Sequence, residues 1–251
     1  MANYNIIFSP TGGTKKVANI LSNALGGEWQ EIDLCCNTQP MSLNADDTCL
    51  VAVPSYGGRV PAVAIERMKH ISGNGAKAIL VCVYGNRAWE DTLTELQDSL
   101  EECGFVCVAA VSAVAEHSIF RQFGAGRPDA EDAAQLEEFA SQISKKLNNA
   151  CFSTPFLEGS HGTYKEFKGS AMKPEANDSC SKCGLCAKAC PVSAIDINQP
   201  GATNKDICIS CMRCISVCPN HARDFDAAFM AEKSAEMAER LGGHKNNYLF
   251  L

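Results

Sequence analysis

Residues 180–191 read CSKCGLCAKACP, and residues 208–219 read CISCMRCISVCP. The two stretches align residue for residue, each as C-x2-C-x2-C-x3-C-P. A cubane iron–sulfur cluster needs four thiolates at roughly tetrahedral corners. Three cysteines at two-residue gaps wrap one loop around three irons, while the fourth lies too far round the chain and ligates the other cluster. The spacing therefore assigns Cys180, Cys183, Cys186 and Cys218 to one cluster, and Cys208, Cys211, Cys214 and Cys190 to the second. Pro191 and Pro219 end the ligand turns and redirect the chain. Gly184 is expected to relieve crowding where the backbone passes close by. Structural zinc sites usually use CxxC pairs a dozen or more residues apart, so two consecutive triplets, each followed by Cys-Pro, fit zinc badly.

Working outward, the chain has 251 residues and 15 cysteines, and seven of these lie outside the block, at 35, 36, 49, 82, 103, 107 and 151. Cys49, Cys82 and Cys107 fall within apolar runs and read as small buried hydrophobes. Cys35-Cys36 reads as loop or core, with vicinal redox use as the alternative. An odd count suits a complete disulfide framework poorly. The start, MANYNIIFSPTGG, shows no basic stretch before a long apolar run, so a reducing, cytoplasmic location is expected. No run of 18 apolar residues is present, which excludes a transmembrane helix. Of the net −7, residues 1–150 carry 18 acidic against 11 basic side chains, whereas residues 175–225 hold five of each. Nucleic acid is excluded as a partner because phosphate binding needs a basic stripe, and anionic membrane is excluded for the same reason.

The first 150 residues alternate between two patterns. Tyr4–Phe8, Trp29–Leu34, Cys49–Val53, Ala78–Val83 and Phe105–Val111 are short, β-rich runs. Between them Thr14–Leu25, Pro61–Ile71, Trp89–Cys103 and Asp129–Leu147 are amphipathic. This alternation predicts an α/β domain over residues 1–149, a doubly wound five-stranded parallel sheet. Residues 150–174 lack either period and read as a linker, with Phe152, Phe156, Tyr164 and Phe167 suggesting that it packs on something. The cysteine block occupies residues 175–225, and residues 226–251 form a C-terminal helix and tail. The helix is expected over Phe225–Leu241, stopped by Gly242-Gly243, and the apolar Tyr248–Leu251 could pack back.

Three loops fall at the carboxyl ends of successive strands, where open α/β sheets bind ligands. Ser9-Pro10-Thr11-Gly12-Gly13-Thr14 follows the first strand and opens the first helix. Its unpaired N–H groups, hydroxyls and glycines suit a phosphate; the alternative is a capped turn. It is neither a Walker loop nor a dinucleotide fingerprint. Pro54-Ser55-Tyr56-Gly57-Gly58-Arg59 follows the third strand, and Tyr84-Gly85-Asn86-Arg87-Ala88-Trp89 the fourth. A flat ring could stack between aromatics there. Tyr56 and Trp89 are the stacking candidates, and Tyr84 either joins them or ends a strand in the core. Arg59 and Arg87 either stabilise a reduced anionic ring or are solvated at the surface. His117, beside Glu116, lies on the same side of the sheet.

Residues 178–224 resemble the bacterial-type two-cluster ferredoxins, except that NHAR at 220–223 stands where the first repeat has VSAI. The SxTGxT loop at residues 9–14 resembles that of the flavodoxins, which holds the phosphate of FMN, and this resemblance covers roughly the first 150 residues. It implies strand order 2-1-3-4-5 and FMN as cofactor. Together with YGNRAWEDTL at 84–93 and AEHS at 115–118, the chain resembles the flavodoxin–ferredoxin fusion proteins of anaerobic prokaryotes. That resemblance implies FMN, two [4Fe-4S] clusters in a small α+β domain, and redox partner proteins.

The expected function is an electron-transfer iron–sulfur flavoprotein that joins one-electron and two-electron partners. Catalytic residues are not expected, as the sequence shows no triad, no paired carboxylates and no HExxH. One alternative is a flavin-dependent NAD(P)H or quinone reductase. Another is a non-redox scaffold or sensor with an empty N-terminal pocket.

Overall fold

In the computed structural model, which describes residues 1–149 and 152–251, β1 spans Asn3–Ile7 and feeds the glycine loop, and α1 spans Gly13–Leu25. There follow β2 (Trp29–Asp33), the two-residue β3 (Met41–Ser42), β4 (Thr48–Pro54), α2 (Ala62–Met68) and the two-residue β5 (Ile71–Ser72). Next come β6 (Lys77–Tyr84), α3 (Thr92–Glu102), β7 (Val106–Val114) and α4 (Ala130–Asn148). The cysteine block contributes β8 (Glu175–Ala176), α5 (Leu185–Ala189), α6 (Arg213–Ser216) and β9 (Arg223–Asp224). The chain ends with α7 (Ala227–Leu241) and β10 (Tyr248–Phe250).

The central sheet runs β10-β7-β6-β4-β1-β2. Its inner strands are apolar on both faces because helices cover both. Alternate residues divide accordingly: Cys49, Val51 and Val53 of β4 and Leu80 and Cys82 of β6 pack towards α2 and α3. Leu50 and Ala52, with Ile79 and Val81, pack towards α1 and α4. α1 contributes Val17, Ala18 and Leu21 to that second core, and α4 contributes Leu136, Ala140 and Ile143, all fully buried. Each such aliphatic side chain contributes about 1.5–3 kcal/mol on burial. Counting the five long parallel strands in chain order gives 2-1-3-4-5, the flavodoxin-like doubly wound order.

One expectation needs correction: the sheet has six strands, not five. β10 lies antiparallel against β7, with Leu249 opposite Val111 and Phe250 opposite Ala110. An uncovered β7 would leave a row of unpaired backbone groups at the sheet edge, and the tail supplies their partners. Two helices are also shorter than their periodicity suggests. α2 stops at Met68 because Ile71-Ser72 turns back to pair with Met41-Ser42. α3 starts at Thr92 because Glu90 is left-handed, with φ 43°.

The cysteine repeat is also a structural repeat. Gly184 and Met212 occupy equivalent positions before α5 and α6, and both are left-handed, with φ 74° and 61°. A Cβ on Gly184 would come within 2.4 Å of the Ile197 Cδ1 methyl, so the crowding there comes from a side chain. β8 and β9 close the unit as an antiparallel pair.

Asn247 fixes the returning tail. Its Oδ1 accepts from Val114 N at 2.8 Å, and its Nδ2 donates to Asp132 Oδ1 at 2.8 Å and Gln135 Oε1 at 2.9 Å. Asp132 in turn completes the capping box of α4 with Asp129 and binds Arg127. Asn247→Ala leaves buried partners unsatisfied and should cost about 1–3 kcal/mol in chemical unfolding. Hydrogen exchange should speed up first along the β7 edge; unchanged protection there would show that the tail does not hold it.

Candidate functional site

Strand order reverses between β1 and β4, so the loops after these strands diverge and leave a crevice at their carboxyl ends. A cavity of about 350 Å³ occupies it, within the range of small-molecule sites. The first loop supplies Pro10, Thr11, Gly13 and Thr14. Gly12, the residue before α1, is left-handed at φ 94°, and no side chain caps it. The first turn of α1 holds no acidic residue, so its positive end is uncompensated. Ser9 Oγ accepts from Lys15 N at 2.9 Å and so satisfies one N–H of the first turn of α1.

The second loop supplies Pro54, Ser55, Tyr56 and Gly57. Tyr56 packs edge-on against Phe8, ring centroids 6.5 Å apart. Gly57 has φ 63°, and a Cβ there would lie 2.2 Å from the Phe167 ring. The linker thus lays Phe167 directly on the loop backbone. The third loop supplies Tyr84, Gly85 and Arg87. Arg87 pairs with Glu90 at 2.9 Å, and that contact, with Lys165 adding to it against the cost of burial, holds the Glu90 carboxyl down at about 2.

The remaining candidates lie elsewhere. Arg59 is held by Glu95 through two hydrogen bonds of 2.8 and 2.6 Å, and it stacks over Tyr164. Gly58 faces Glu90. Asn86 is buried and donates to the carbonyls of Leu241 and Gly243, tying down the end of α7. Trp89 is not a cavity wall: its ring sits 5.2 Å from Tyr84 and 5.4 Å from Tyr248, so it packs under the returning tail. Ser9, Gly12, Gly58, Arg59, Asn86 and Trp89 therefore support the lining without forming it.

A fourth strand end completes the cavity. Ala115 to Phe120, after β7, line it, with His117 at their centre. The His117 Nδ1 accepts from the backbone N–H groups of Ile119 and Phe120, both at 3.1 Å. Burial, with the Arg87 charge nearby, drops its pKa to about 4. The ring is therefore neutral near pH 7, with its proton on Nε2, a donor in the cavity wall. Gly85 makes room, since a Cβ there would meet the imidazole at 2.8 Å. The cavity roof comes from beyond the α/β unit: Phe167, Ser170 and Met172 of the linker, Ile209 and Ser210 of the cysteine block, and Lys233, Glu236 and Met237 of α7. The run AEHS pointed at the β7 loop and the linker aromatics pointed at Phe167, but nothing in the sequence marked α7.

The eight cysteines of the block surround two small cavities. Cys180, Cys183, Cys186 and Cys218 line one, and Cys190, Cys208, Cys211 and Cys214 line the other. The fourth cysteine of each repeat thus sits with the triplet of the other. Each of these crossing sulfurs accepts from a backbone N–H four residues on, Ala194 to Cys190 at 3.2 Å and Ala222 to Cys218 at 3.3 Å. Among the described residues, no three metal-ligating side chains converge on the position of a single ion. Sulfurs spread around an enclosed space suit a polynuclear cluster, whose irons each take one thiolate.

Residues 179–222 match the 4Fe-4S dicluster domain family. Comparison with curated proteins finds no match. Among solved structures, the chain is similar to a flavodoxin of Streptococcus pneumoniae TIGR4, at 21% identity and TM-score 0.42, over 58% of this chain and 99% of that one. It is similar to flavodoxin 2 of Bacillus cereus, at 15% identity and TM-score 0.43, over 58% and 99% of the two chains. An NADH:FMN oxidoreductase matches at 15% identity and TM-score 0.42, over 57% and 88%. The fold assignment rests on the strand order.

Two outcomes follow. Lowering pH from 6.5 to 5 should destabilise the fold by about 1.5 kcal/mol through His117, because the unfolded chain takes up a proton there that the folded chain refuses until about pH 4. Unfolding of His117→Gln should lack that part of the pH slope; an identical slope would place the charge elsewhere. Gly57→Ala forces a side chain into the Phe167 ring at a left-handed position, so the linker over the cavity should become sensitive to limited proteolysis.

Proposed function

We propose that this union of a flavodoxin-like domain with a 4Fe-4S dicluster domain is an electron carrier that holds FMN in the large cavity. FMN supplies one- or two-electron chemistry when bound, and the two clusters exchange one electron each. The observation that carries the reading is Ile209, which lines both the large cavity and the cavity of Cys190, Cys208, Cys211 and Cys214. The two cavities share Ile209 as a common lining residue. The other set opens outward: Cys183 is exposed, and Leu185 and Ile197 beside it are 45% and 49% exposed. The order is then FMN, the Cys208 cluster, the Cys180 cluster, and an external redox protein at the Leu185 surface.

The residues divide the work of binding. Thr11, Gly13 and Thr14, at the amino end of α1, receive the phosphate. Tyr56 offers a ring face, and the Nε2–H of His117 offers a hydrogen bond to a polar edge. Phe167, Met172 and Met237 close the roof and exclude water. In this reading proton transfer is no part of the chain's task.

The test is anaerobic assembly of the full chain with iron, sulfide and FMN. Binding of one FMN and about eight irons, with both chromophores bleached by dithionite, is expected. Eight irons with no retained FMN would sink the flavin half, and steady NADH or quinone turnover would replace the carrier with a reductase. Cys190→Ala should damage the cluster whose other ligands begin at Cys208 and spare the Cys180 cluster, read by EPR of the reduced protein. Loss of the Cys180 cluster instead would overturn the crossed pairing.

A further inference from the structure

The two cysteine repeats differ in charge at one buried position. Ile195 follows the first repeat, and Arg223 takes the equivalent place after the second, at 5% and 2% exposure. A guanidinium so deep normally has a carboxylate beside it. Among the described residues Arg223 has none: its Nη1 donates to Thr203 Oγ1 at 2.8 Å and Pro174 O at 3.1 Å, and its Nη2 to the carbonyls of Pro200 and Ala202. These acceptors are neutral. Its Nε is buried without an acceptor. Yet Arg223 lines the cavity of Cys180, Cys183, Cys186 and Cys218.

The other cavity offers an internal comparison. Arg213 lines it, also with a buried Nε lacking an acceptor. That guanidinium, however, reaches Asp33 of the α/β domain at 3.8 Å. One cavity is therefore lined by a guanidinium with no carboxylate partner and the other by one that reaches Asp33, and the Arg223 charge, felt also at Cys214 of the second set, lies in the wall of the first.

We propose that Arg223 is the built-in counter-charge and N–H donor of the Cys180–Cys183–Cys186–Cys218 cluster, and that it raises that cluster's reduction potential above that of its neighbour. The proposal rests on the two-cluster reading. A cubane with four thiolates gains one negative charge when it takes up one electron from an external reductant. A buried cation in the wall of its cavity favours the more negative state, and an Nε–H left without a protein acceptor is available to donate to it. Low local dielectric strengthens this effect, because four neutral acceptors orient the guanidinium without cancelling its charge. The gradient so created draws electrons outward, from the cluster beside Ile209 to the cluster at the surface.

The test uses the full chain, assembled anaerobically and titrated with dithionite while EPR follows each cluster. Arg223→Gln, with about eight irons retained, should lower the midpoint of the Cys180 cluster by at least tenfold in the reduction equilibrium, about 59 mV for one electron. Arg223→Lys, which keeps the charge, should recover most of that shift. An unchanged midpoint in loaded Arg223→Gln, or an equal fall in both variants, would overturn the proposal. If Arg223→Gln does not load, Arg223→Lys decides: loading at the unaltered potential supports the counter-charge, whereas a lowered potential or failure to load shows a structural role. Failure of the unaltered chain to take up about eight irons would instead count against the two-cluster reading itself.

Discussion

The exchange of Cys190 and Cys218 between the two cysteine repeats is the constraint from which most of this molecule follows. Each cavity is closed by a sulfur from the other repeat, so neither repeat makes a complete site alone. A segment this short buries little apolar surface, and small domains of this kind depend on metal for their stability. Its helices are of five and four residues, too short to persist without what they enclose. The backbone bonds from Ala194 and Ala222 to the crossing sulfurs repeat the symmetry. Arg223 breaks it, since it occupies a place where the first repeat is content with isoleucine.

That unit is not appended to the α/β domain; it is inserted into it. The chain leaves after α4, passes through the cysteine block, and returns through α7 to add β10 to the same sheet. Both ends of the insert are tied. On the way out, the linker is held at Asp98 by His161, Gly162 and Tyr164, and at Glu90 by Lys165. On the way back, Asn86 and Asn247 hold the tail. Polar contacts between the units run from Arg67 to the Pro191 carbonyl at 2.6 Å, from Arg213 to Asp33, and from Ser216 to Pro10, and beside them Phe120 of the α/β unit packs with Met172, Met212 and Leu241 in a shared apolar cluster. The polar contacts are individually weak, and the apolar cluster adds burial to them. Closure of the chain at both ends keeps the effective concentration high, so they suffice to hold Ile209 over the cavity.

Much of this was legible in the sequence. The cysteine spacing specified the two sets of sulfurs that line separate cavities, and alternating periods specified the order of the long strands and helices in the first domain. Loops at strand ends could be located because open α/β sheets have only one end at which ligands bind. What sequence could not supply was the direction of individual side chains within those loops. Arg59 and Trp89 carry the right chemistry for a flavin site, yet one is claimed by Glu95 and the other by the returning tail. Both competitors are distant in sequence and fit no local period. β10 escaped for the same reason: three residues carry too little pattern to announce a strand, and only the open edge of β7 explains it. The roof from α7 depends on the path of the insert, which no local rule encodes.

The shared roof has an energetic consequence. Because linker, cysteine block and α7 all line the cavity, a molecule bound there contacts both units, and its binding free energy is available to hold them together. Binding in the cavity and docking of the insert are therefore linked, and by reciprocity whatever loosens the insert weakens binding in the cavity. The apolar cluster around Phe120 and the polar contacts hold the units together before anything binds, and a bound molecule adds to them. Cavity occupation would stiffen the region around Ile209, which borders both cavities. The cysteine block in turn covers a cavity that the α/β domain leaves open at its strand ends, so each unit completes the other's site.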